Sequence, residues 1–524
     1  MIENRVAQML GRELPPPITD PSLERRVREA VAASGRKLVV LDDDPTGVQT
    51  VHDTAVLAGW DQSALASELE RPEPLFFILT NSRSVPEAQA AAVNQEIAET
   101  LIAAASETGV PFVIASRSDS TLRGHFPAET NALASALGGV DGVLICPAFF
   151  EGGRVTAGDV HFVQDGDRLV PAADTEFARD TTFGYRARTL PEWVTEKSGG
   201  TLSTAEVASI SLADIRDGGA RRVASRLRGV AGGQPVVVNA LDYPDLWTVV
   251  LGLLDAEAAG KRFVYRTGAS FVRARSGMGA RAVLSRAELL GANAPRPAHG
   301  LVIVGSHVRR TTEQLERLLA TAGTIGIEVA VPALLLDNQA RAAEVARVTR
   351  LAGDSMATGL TAVVYTSRHI AQPAGMDELA VARTVSEALV AIVRGIDGRP
   401  DFVVGKGGIT SSDVGTRGLG ATRAMVLGQI RAGVPVWRLG AESRFPGMPY
   451  IVFPGNVGAP ETLAEIVDEL IGGLSQTIDF AAKMGCLMLQ LPRALDAYTY
   501  ALLAYSCYNC THRSGDSVIL PTFG

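Results

Sequence analysis

The stretch "KLVVLDDDPTG", residues 37–47, joins a short apolar run to three adjacent carboxylates and a Pro-Thr-Gly turn. The run 38–40 is typical of a strand that is buried on both faces of a sheet. Asp42, Asp43 and Asp44 follow where that strand would end, and their negative charges repel one another. Such a cluster indicates a cation, a sugar hydroxyl or an arginine opposite it; the alternative is a solvated acidic turn.

The same pattern recurs along the chain. Short apolar runs alternate with Ala-rich stretches of helical period, such as 86–107 and 124–137. This alternation predicts an α/β fold with two domains, each a mainly parallel sheet flanked by helices, and a cleft between them. Because ligands bind beyond the carboxyl ends of parallel strands, the polar residues after each run are candidate site residues. The predicted strands are contained in "KLVVLDDD", "LFFILTNS", "PFVIASRS", "GVLICPAFF", "PVVVNALD", "LVIVGSHV", "GIEVAVPAL", "TAVVYTSR", "DFVVGKGGITSSD" and "PYIVFPGNVG".

Length and one proline-containing segment suggest how the chain is divided. A chain of 524 residues exceeds the size that one hydrophobic core usually fills. The small residues and prolines of "LLGANAPRPAHG" (289–300) precede a new strand, which places the domain boundary there. The predicted parts are an N-terminal extension (1–35), a first domain (36–290), a linker (291–299), a second domain (300–473) and an atypical tail (474–524).

Composition and charge exclude several classes of protein. The net charge of −8 and the absence of a long Lys/Arg run argue against nucleic acid as a partner. The chain has no run of the roughly 18 apolar residues that a membrane span needs, and its charged start is unlike a secretory signal. We therefore expect a cytoplasmic protein without a membrane partner that acts on small molecules; a homodimer is compatible with the sequence.

A second polar loop supplies positive charge. "SRSDSTLRGH" (116–125) places Arg117, Asp119 and Arg123 before a predicted helix. A guanidinium can hold a carboxylate through two parallel hydrogen bonds, and a helix start adds N–H donors for the same anion. Together with the aspartates, this loop would bind a small hydroxy-acid. Taken alone, it fits a helix cap with surface arginines equally well.

Three glycine-containing turns follow strands in the second half: "IVGSHVRRTTEQL" (303–315), "VVGKGGITSSDVG" (403–415) and "VFPGNVG" (452–458). Glycines let the backbone approach phosphate oxygens, and the following helix starts favour negative charge. None of the turns is a Walker loop or a complete G-x-G-x-x-G, and such patterns are as often tight turns. Lys406, within the second turn, would either contact a phosphate or point to solvent.

Histidines and cysteines indicate no specific chemistry. His125, His161 and His307 lack the spacing of a catalytic triad or a metalloprotease helix, and a lone loop histidine more often makes structural hydrogen bonds. The "CYNC" pair at 507–510 has one histidine nearby, fewer ligands than a zinc site needs, so free thiols are favoured. We predict no metal-ligating side chains.

In these motifs the chain resembles the four-carbon acid sugar kinases. The shared features run in unbroken order over about residues 36–470 and leave out the tail. The extra Asp42, "VQTVHD" after the first turn, Arg117 in place of lysine and Pro454 in place of serine mark a divergent branch. The matching segments are Asp43–Gly47 ("DDxTG"), Asp119–Gly124 ("DSTLRG"), Pro147–Arg154 ("PAxxxxGR"), Gly305–Leu315 ("GS...T..QL"), Gly407–Thr410 ("GG.T") and Gly455–Gly458 ("GN.G").

The resemblance implies a first domain that binds an acid sugar, a second domain that binds ATP, and transfer of the γ-phosphoryl group to the terminal hydroxyl of a threonate-, erythronate- or oxo-tetronate-like acid. ATP and Mg²⁺ are the implied cofactors. The implied catalytic residues are Asp43 and Asp44. Substrate binding is expected of Asp42, Arg117, Asp119, Arg123 and Arg154, and nucleotide binding of Ser306, Gly407, Gly408, Ile409, Thr410 and Gly455.

Under this hypothesis, Asp43 or Asp44 deprotonates the attacking hydroxyl, Arg123 holds the substrate carboxylate, and the 289–300 segment is a hinge for domain closure. One alternative is a non-catalytic acid-sugar sensor whose partner docks on the tail. A nicotinamide-dependent oxidoreductase is disfavoured because "GKGGIT" lacks a third glycine and a ribose-binding acid about 20 residues further on.

Overall fold

The computed structural model describes residues 2–294, 297–368, 378–455 and 457–473. The N-terminal half contains a large sheet and a small three-stranded one. Its strands are β1 (Lys37–Asp42), β2 (Thr54–Leu57), β3 (Leu75–Leu79), β4 (Phe112–Arg117), β5 (Gly142–Cys146), β6 (Arg154–Ala157), β7 (Val160–Asp165), β8 (Arg168–Pro171), β9 (Ala208–Ile210), β10 (Gln234–Val238) and β11 (Phe263–Thr267).

The helices of this half flank the large sheet. They are α1 (Ile2–Leu10), α2 (Leu23–Ser34), α3 (Gln62–Glu70), α4 (Glu87–Thr108), α5 (Ala128–Ala136), α6 (Leu190–Lys197), α7 (Leu212–Arg216), α8 (Gly219–Arg228), α9 (Tyr243–Ala258), α10 (Ala269–Ser276) and α11 (Arg286–Leu290). Short 3-10 turns lie at Ser82–Ser84, Phe150–Gly152, Ala172–Asp174, Glu176–Arg179 and Thr204–Glu206.

The C-terminal half repeats the α/β arrangement. Its strands are β12 (Gly300–Val304), β13 (Thr324–Val329), β14 (Thr361–Thr366), β15 (Phe402–Lys406), β16 (Arg423–Arg431), β17 (Val434–Leu439) and β18 (Pro449–Phe453). Its helices are α12 (Arg309–Leu319), α13 (Val331–Leu336), α14 (Asn338–Ala357), α15 (Glu378–Gly395), α16 (Gly408–Asp413), a π-helical turn (Val414–Gly418) and α17 (Thr462–Ile471).

Each run that was predicted as a strand contains one, and the α/β fold class with two domains is confirmed. Helix 86–107 is α4, displaced by one residue. Helix 124–137 is shorter than predicted and begins at Ala128, because Gly124 has a left-handed φ of 116° and Pro127 immediately precedes the helix.

The two halves share one sheet. Its strand order is β13-β14-β12-β15-β18-β17-β16-β2-β3-β1-β4-β11-β5-β10-β9. The outer parts are parallel, whereas β16 pairs antiparallel with β17 and also with β2, where Arg423–Val426 lie opposite Thr54–Leu57. Every second residue of β16 is buried, which is the period expected of a strand with two unlike faces. This β2–β16 seam was not anticipated from the sequence.

Packing reinforces the seam on one face of the sheet. A single hydrophobic cluster there includes Leu38 and Val40 of β1 together with Leu301 and Ile303 of β12. On the opposite face the two halves have separate clusters. The shared cluster fixes the carboxyl ends of β1 and β15, and with them the loops that carry the predicted site, in one orientation.

Segments around the predicted boundaries make specific contacts. Within the predicted N-terminal extension, Val27 and Val31 of α2 belong to the hydrophobic core. Leu289, just before the predicted linker, packs in the core of the C-terminal half, and Ala298 N–H donates to the Ile471 carbonyl. Residues 295 and 296 of that linker and the whole predicted tail, 474–524, lie outside the described residues. Among the helices that are described, none has the length and apolarity that crossing a bilayer requires.

Candidate active site

A cleft of about 1320 Å³ lies between the two halves, where loops after the strands of both meet. The N-terminal half contributes the acidic turn after β1, the loop after β3 and the loop after β4. The C-terminal half contributes the turns after β12, β15 and β18. Of the residues predicted to form the site, those lining this cleft are Asp43, Asp44, Arg117, Asp119, Arg123, Arg154, Ser306, Gly407, Gly408, Ile409, Thr410 and Gly455.

Asp42 is the exception, because it lies beneath the floor of the cleft. Strand β1 continues through Asp42, which is 1% exposed and accepts a hydrogen bond from Arg117 Nη1 at 3.3 Å. Its carboxylate packs against Gly47, where a Cβ would approach Asp42 Oδ2 to 2.0 Å. Burial raises the pKa of Asp42 to about 8, although Arg117 opposes the shift. The structure thus places Asp42 outside the lining of the cleft, and substrate binding by Asp42 stays a prediction that this placement does not support.

Asp43 is held by several donors. Its Oδ2 accepts hydrogen bonds from Arg83 Nε at 3.1 Å and from Ser118 Oγ at 2.8 Å, and its Oδ1 accepts from Arg83 Nη2. Arg117 Nη1 lies 4.0 Å from the same Oδ1. Both oxygens thus face positive charge or a hydroxyl donor, which fixes the orientation of Asp43.

Asp44 has one oxygen held and one directed across the cleft. Its Oδ1 accepts from the Thr46 backbone N–H at 2.8 Å and from the Thr46 hydroxyl at 2.6 Å. Its Oδ2 lies 3.6 Å from Arg83 Nη1 and faces Gly408, where a Cβ would come within 2.6 Å of it. An acid of the N-terminal half thereby meets the glycine turn of the C-terminal half.

The loop after β4 belongs to an ion-pair network that extends to Asp180. Asp119 Oδ2 accepts from Arg123 Nε at 2.7 Å, and Arg123 Nη1 lies 3.5 Å from Asp180 Oδ2. Burial opposes ionisation of Asp119, but the charges of Arg123 and Arg83 outweigh it and hold its pKa well below the ordinary value. Arg123 also lies over the Phe177 ring. These contacts engage Nε and Nη1 of the guanidinium that was expected to hold the substrate carboxylate.

Arg154 has no carboxylate partner among the described residues, whereas Arg83, Arg117 and Arg123 each pair with an aspartate. Its Nη1 donates to the Gly152 carbonyl at 3.0 Å, and its buried Nε has no hydrogen-bond partner among the described residues. Burial lowers its pKa, and the charges of Arg123 and Arg117 lower it further, against the opposing effect of Asp119. A guanidinium with unused donors at a cleft wall is suited to binding an anion.

The glycine turns of the C-terminal half pack closely on one another. Gly407 has a φ of 114°, and a Cβ on it would lie 2.9 Å from Ser306 Cβ. A Cβ on Gly305 would lie 2.3 Å from Thr410 Oγ1. The Gly455 carbonyl accepts a hydrogen bond from Thr311 Oγ1 at 2.9 Å. The turns therefore bring three backbone segments together at the start of α16, where amide N–H groups favour an anion.

An apolar wall continues the cleft beyond these turns. Its buried side chains belong to α13 and α15, and Ile409, which is 58% exposed, stands at its margin. Such a wall suits a flat, weakly polar ring better than a charged group. The buried residues that line it are Val331, Val381, Val385 and Leu389.

Lys406 does not point to solvent, so that predicted placement is wrong, and it is not among the residues that line the cleft. It is the last residue of β15, it is fully buried, and its Nζ donates to the Pro454 carbonyl at 2.5 Å and the Gly455 carbonyl at 3.2 Å. Every residue of β15 is buried, and this burial extends to the final side chain.

Two of the three histidines have structural roles. His125 Nε2 lies 3.1 and 2.9 Å from the Ser82 and Val85 carbonyl oxygens, so it donates to the loop after β3. His161 Nε2 donates to the Ser120 carbonyl at 2.7 Å, and burial lowers its pKa to about 4. The third, His307, lines the cleft, and burial lowers its pKa.

Sequence reasoning did not name Asn81 or Arg83 as site residues, although Asn81 lies in the quoted run "LFFILTNS" and Arg83 follows directly after it. Asn81 adopts a left-handed φ of 50°, and its Nδ2 donates to Ser412 Oγ across the cleft at 2.5 Å. The two residues could have been found by assuming that the first strands pair with each other. Since β3 pairs in parallel with β1, the residues after β3 lie beside the aspartates.

Comparisons with known proteins agree with this two-part site. Residues 38–275 match a family described as a sugar-binding N-terminal domain, and residues 301–463 match one described as a nucleotide-binding C-terminal domain. A D-threonate kinase of Bordetella bronchiseptica is 29% identical over 443 residues, which cover 82% of this chain and 96% of that protein.

Two further similarities extend the comparison. A D-erythronate kinase of Heliobacterium modesticaldum is 26% identical over 371 residues, covering 68% of this chain and 76% of that protein. A crystal structure of a Haemophilus influenzae protein superposes with a TM-score of 0.55 at 19% identity, covering 83% of this chain and all of that one. At that identity the superposition shows a shared fold.

Proposed function

The chain belongs to the family of four-carbon acid sugar kinases, and from this premise we propose that it transfers the γ-phosphoryl group of ATP to the terminal hydroxyl of a four-carbon acid sugar. The observation that carries the proposal is the approach of Asp44 to Gly408 across the cleft. A carboxylate from the acid-lined half lies directly against the glycine turn that would hold phosphates. Phosphoryl transfer requires the acceptor hydroxyl to lie close to the phosphoryl donor, and a base at this position could orient that hydroxyl.

Asp44 is the residue that we assign to the attacking hydroxyl. Its Oδ1 is engaged by Thr46, whereas Oδ2 faces Gly408 and accepts no hydrogen bond among the described residues. Asp43 is a weaker candidate, because Arg83 and Ser118 already donate to its oxygens. We therefore assign Asp43 to holding Arg83, which in turn orients Asp44.

Arg154 is the residue that we assign to the substrate carboxylate. The earlier hypothesis gave that role to Arg123, but Arg123 is paired with Asp119 and Asp180. Arg154 has unused donors and no salt bridge among the described residues. A planar carboxylate could take two parallel hydrogen bonds from it. Arg117 is directed to Asp42 and Asp43 and would act by supporting those acids.

The nucleotide is assigned to the C-terminal half. The turns at Ser306, Gly407–Thr410 and Gly455 would face its phosphates, and the wall of α13 and α15 would face its base. Mg²⁺ is expected to accompany ATP, where it neutralises phosphate charge. Mg²⁺ usually keeps water and phosphate ligands with one or two carboxylates. Because Asp44 Oδ2 is assigned to the hydroxyl proton, phosphate oxygens and water would supply most of the ligands of the ion.

In the proposed reaction the side chains act mainly by placement. Arg154 fixes one end of the acid, so that its terminal hydroxyl reaches Asp44. Asp44 Oδ2 takes the hydroxyl proton as the oxygen attacks the γ-phosphorus, and the bond to the leaving ADP oxygen breaks. Closure about residues 289–300 stays a prediction; if it occurs, the paired β2 and β16 must twist with it.

The test is an assay of the purified chain with ATP, Mg²⁺ and a panel of threonate, erythronate and oxo-tetronate stereoisomers, followed by ADP release and by mass spectrometry of the acid. We expect one or a few acids to gain a phosphate at the terminal hydroxyl. Acid binding without ADP release across the panel would contradict the proposal and favour the sensor alternative. A phosphate on another hydroxyl would contradict the assigned placement.

A further inference from the structure

Lys406 makes contacts that the proposed reaction does not use. Its Nζ is fully buried at the end of β15, it lies 4.0 Å from the centre of the Phe453 ring, and it donates to two carbonyl oxygens of residues 454 and 455. These partners are two neutral oxygens and an aromatic ring, and no carboxylate pairs with Lys406 among the described residues, so the ammonium lacks a counter-ion to offset its loss of water. A buried lysine in such surroundings calls for a reason beyond packing.

The carbonyls that Lys406 holds belong to the turn nearest the proposed phosphate site. The Gly455 oxygen also accepts from Thr311, whose hydroxyl lies 3.2 Å from Ser306 Oγ. Gly407 N–H donates to the Phe453 carbonyl at 2.8 Å. Lys406 thus lies between the Gly407 and Gly455 turns, and the same network reaches Ser306. Moving its Nζ would shift several backbone groups that face the cleft.

The charge of Lys406 is sensitive to other charges placed near the Gly407 and Gly455 turns. Burial lowers the pKa of Lys406 to about 6, and the charge of Arg310 on α12 lowers it further. The neutral amine can still donate to both carbonyls, but less strongly than the ammonium. Negative charge placed against Gly407 and Gly455 would oppose Arg310 and favour the ammonium.

We propose that Lys406 is a positioning residue that takes up a proton from solvent when a nucleotide polyphosphate binds, and that the ammonium then fixes the 454–455 turn against the phosphates. This inference rests on the proposed nucleotide site of the C-terminal half. It deepens the proposed function by coupling ATP binding to a protonation within the protein rather than to a direct lysine–phosphate contact.

The test measures protons. Titration calorimetry of the full chain with Mg²⁺ and AMP-PNP, a non-hydrolysable ATP analogue, is carried out near pH 7.5 in two buffers of different ionisation enthalpy. We expect the wild type to take up about half to one proton more per bound nucleotide than Lys406→Arg, whose side chain is charged throughout, or Lys406→Met, which has no charge. Protonation of the nucleotide itself is common to all three proteins and cancels in the difference.

Steady-state kinetics supply a second readout. We expect Lys406→Met to raise the KM for ATP by about 10-fold, with a smaller effect on kcat and on the KM for the acid, and Lys406→Arg to recover most of the loss. Equal proton uptake by the wild type and Lys406→Arg, with nucleotide bound to both, would overturn this inference alone. A wild-type chain that binds no nucleotide would overturn the proposed function as well. If Lys406→Met does not fold, the comparison with Lys406→Arg still decides.

Discussion

Arg83 donates hydrogen bonds to both carboxylate oxygens of Asp43, and its Nη1 lies 3.6 Å from Asp44 Oδ2. A single guanidinium therefore links the two aspartates. The two acids are adjacent in sequence but unlike in surroundings. The side chain of Asp43 is 4% exposed and that of Asp44 is 20% exposed. We therefore expect the two acids to have different roles, a structural one for Asp43 and a catalytic one for Asp44.

Asp44→Asn should lower kcat by about 10²- to 10⁴-fold, because the variant lacks the oxygen that takes the proton. Asp43→Asn should instead lower stability by about 2 kcal/mol, because Arg83 loses its charged acceptor, while retaining more activity than Asp44→Asn. Kinetics and urea denaturation of both variants check this pair of outcomes. Near-normal turnover by Asp44→Asn would remove it as the base.

Gly408→Ala should lower kcat/KM by about 100-fold, because the new methyl would meet Asp44 Oδ2 at 2.6 Å and displace either the acid or the turn. The matched control is Gly353→Ala in α14, where a Cβ meets nothing within 4 Å. That variant should keep its activity and gain about 0.5–1 kcal/mol from its better helix propensity. Equal activity of the two variants would show that the close approach is unimportant.

Arg154→Met should raise the KM for the acid by about 10- to 100-fold, because a charged hydrogen-bond donor to the carboxylate is lost. The KM for ATP should change little. The control is Arg228→Met, which removes a half-exposed arginine paired with Asp255 on the surface. If the effect is specific to the carboxylate, the weak reaction with the corresponding uncharged tetritol should be unaffected by Arg154→Met. An equal loss with acid and tetritol would point to a general packing defect.

Asp42 should make folding stability depend on pH. Burial raises its pKa from 3.8 to about 8, so over this range the folded state keeps a proton that the unfolded state loses. Stability from this group therefore falls as pH rises. Asp42→Asn removes the titration, so its Tm relative to wild type should increase steadily from about pH 5 to about pH 8. The control, Asp167→Asn, alters a fully exposed carboxylate. Parallel Tm curves for wild type and Asp42→Asn would refute the effect.

The sequence could predict which loops form the site, but not how the side chains within them are arranged. Apolar runs followed by polar residues identify the ends of parallel strands, and those ends meet at one sheet edge. A shift of one position at the end of a strand decides whether a polar residue is buried in the sheet or lies in the loop that follows it. Asp42 and Lys406 are the final residues of β1 and β15, and both are buried for that reason.

Local sequence patterns also could not predict which distant residues form ion pairs or which strands pair. Arg123 could not be known to pair with Asp180, which is 57 residues away, and β2 could not be matched to β16 over a far longer separation. The strand "RAMVLGQIR" does alternate buried and partly exposed residues, and Gly433 turns it into β17 with a φ of 77°. These signals indicate a hairpin, but they do not say which strand pairs with its free side.

The β2–β16 seam has a consequence for any attempt to produce the halves separately. Each fragment would present an unpaired backbone edge, and on β2 that edge carries four residues that are buried in the intact chain. Open edges of this kind recruit other strands. We therefore expect each fragment to self-associate when it is produced alone. Fragments produced together in one cell are expected to pair through β2 and β16 and to reconstitute the kinase.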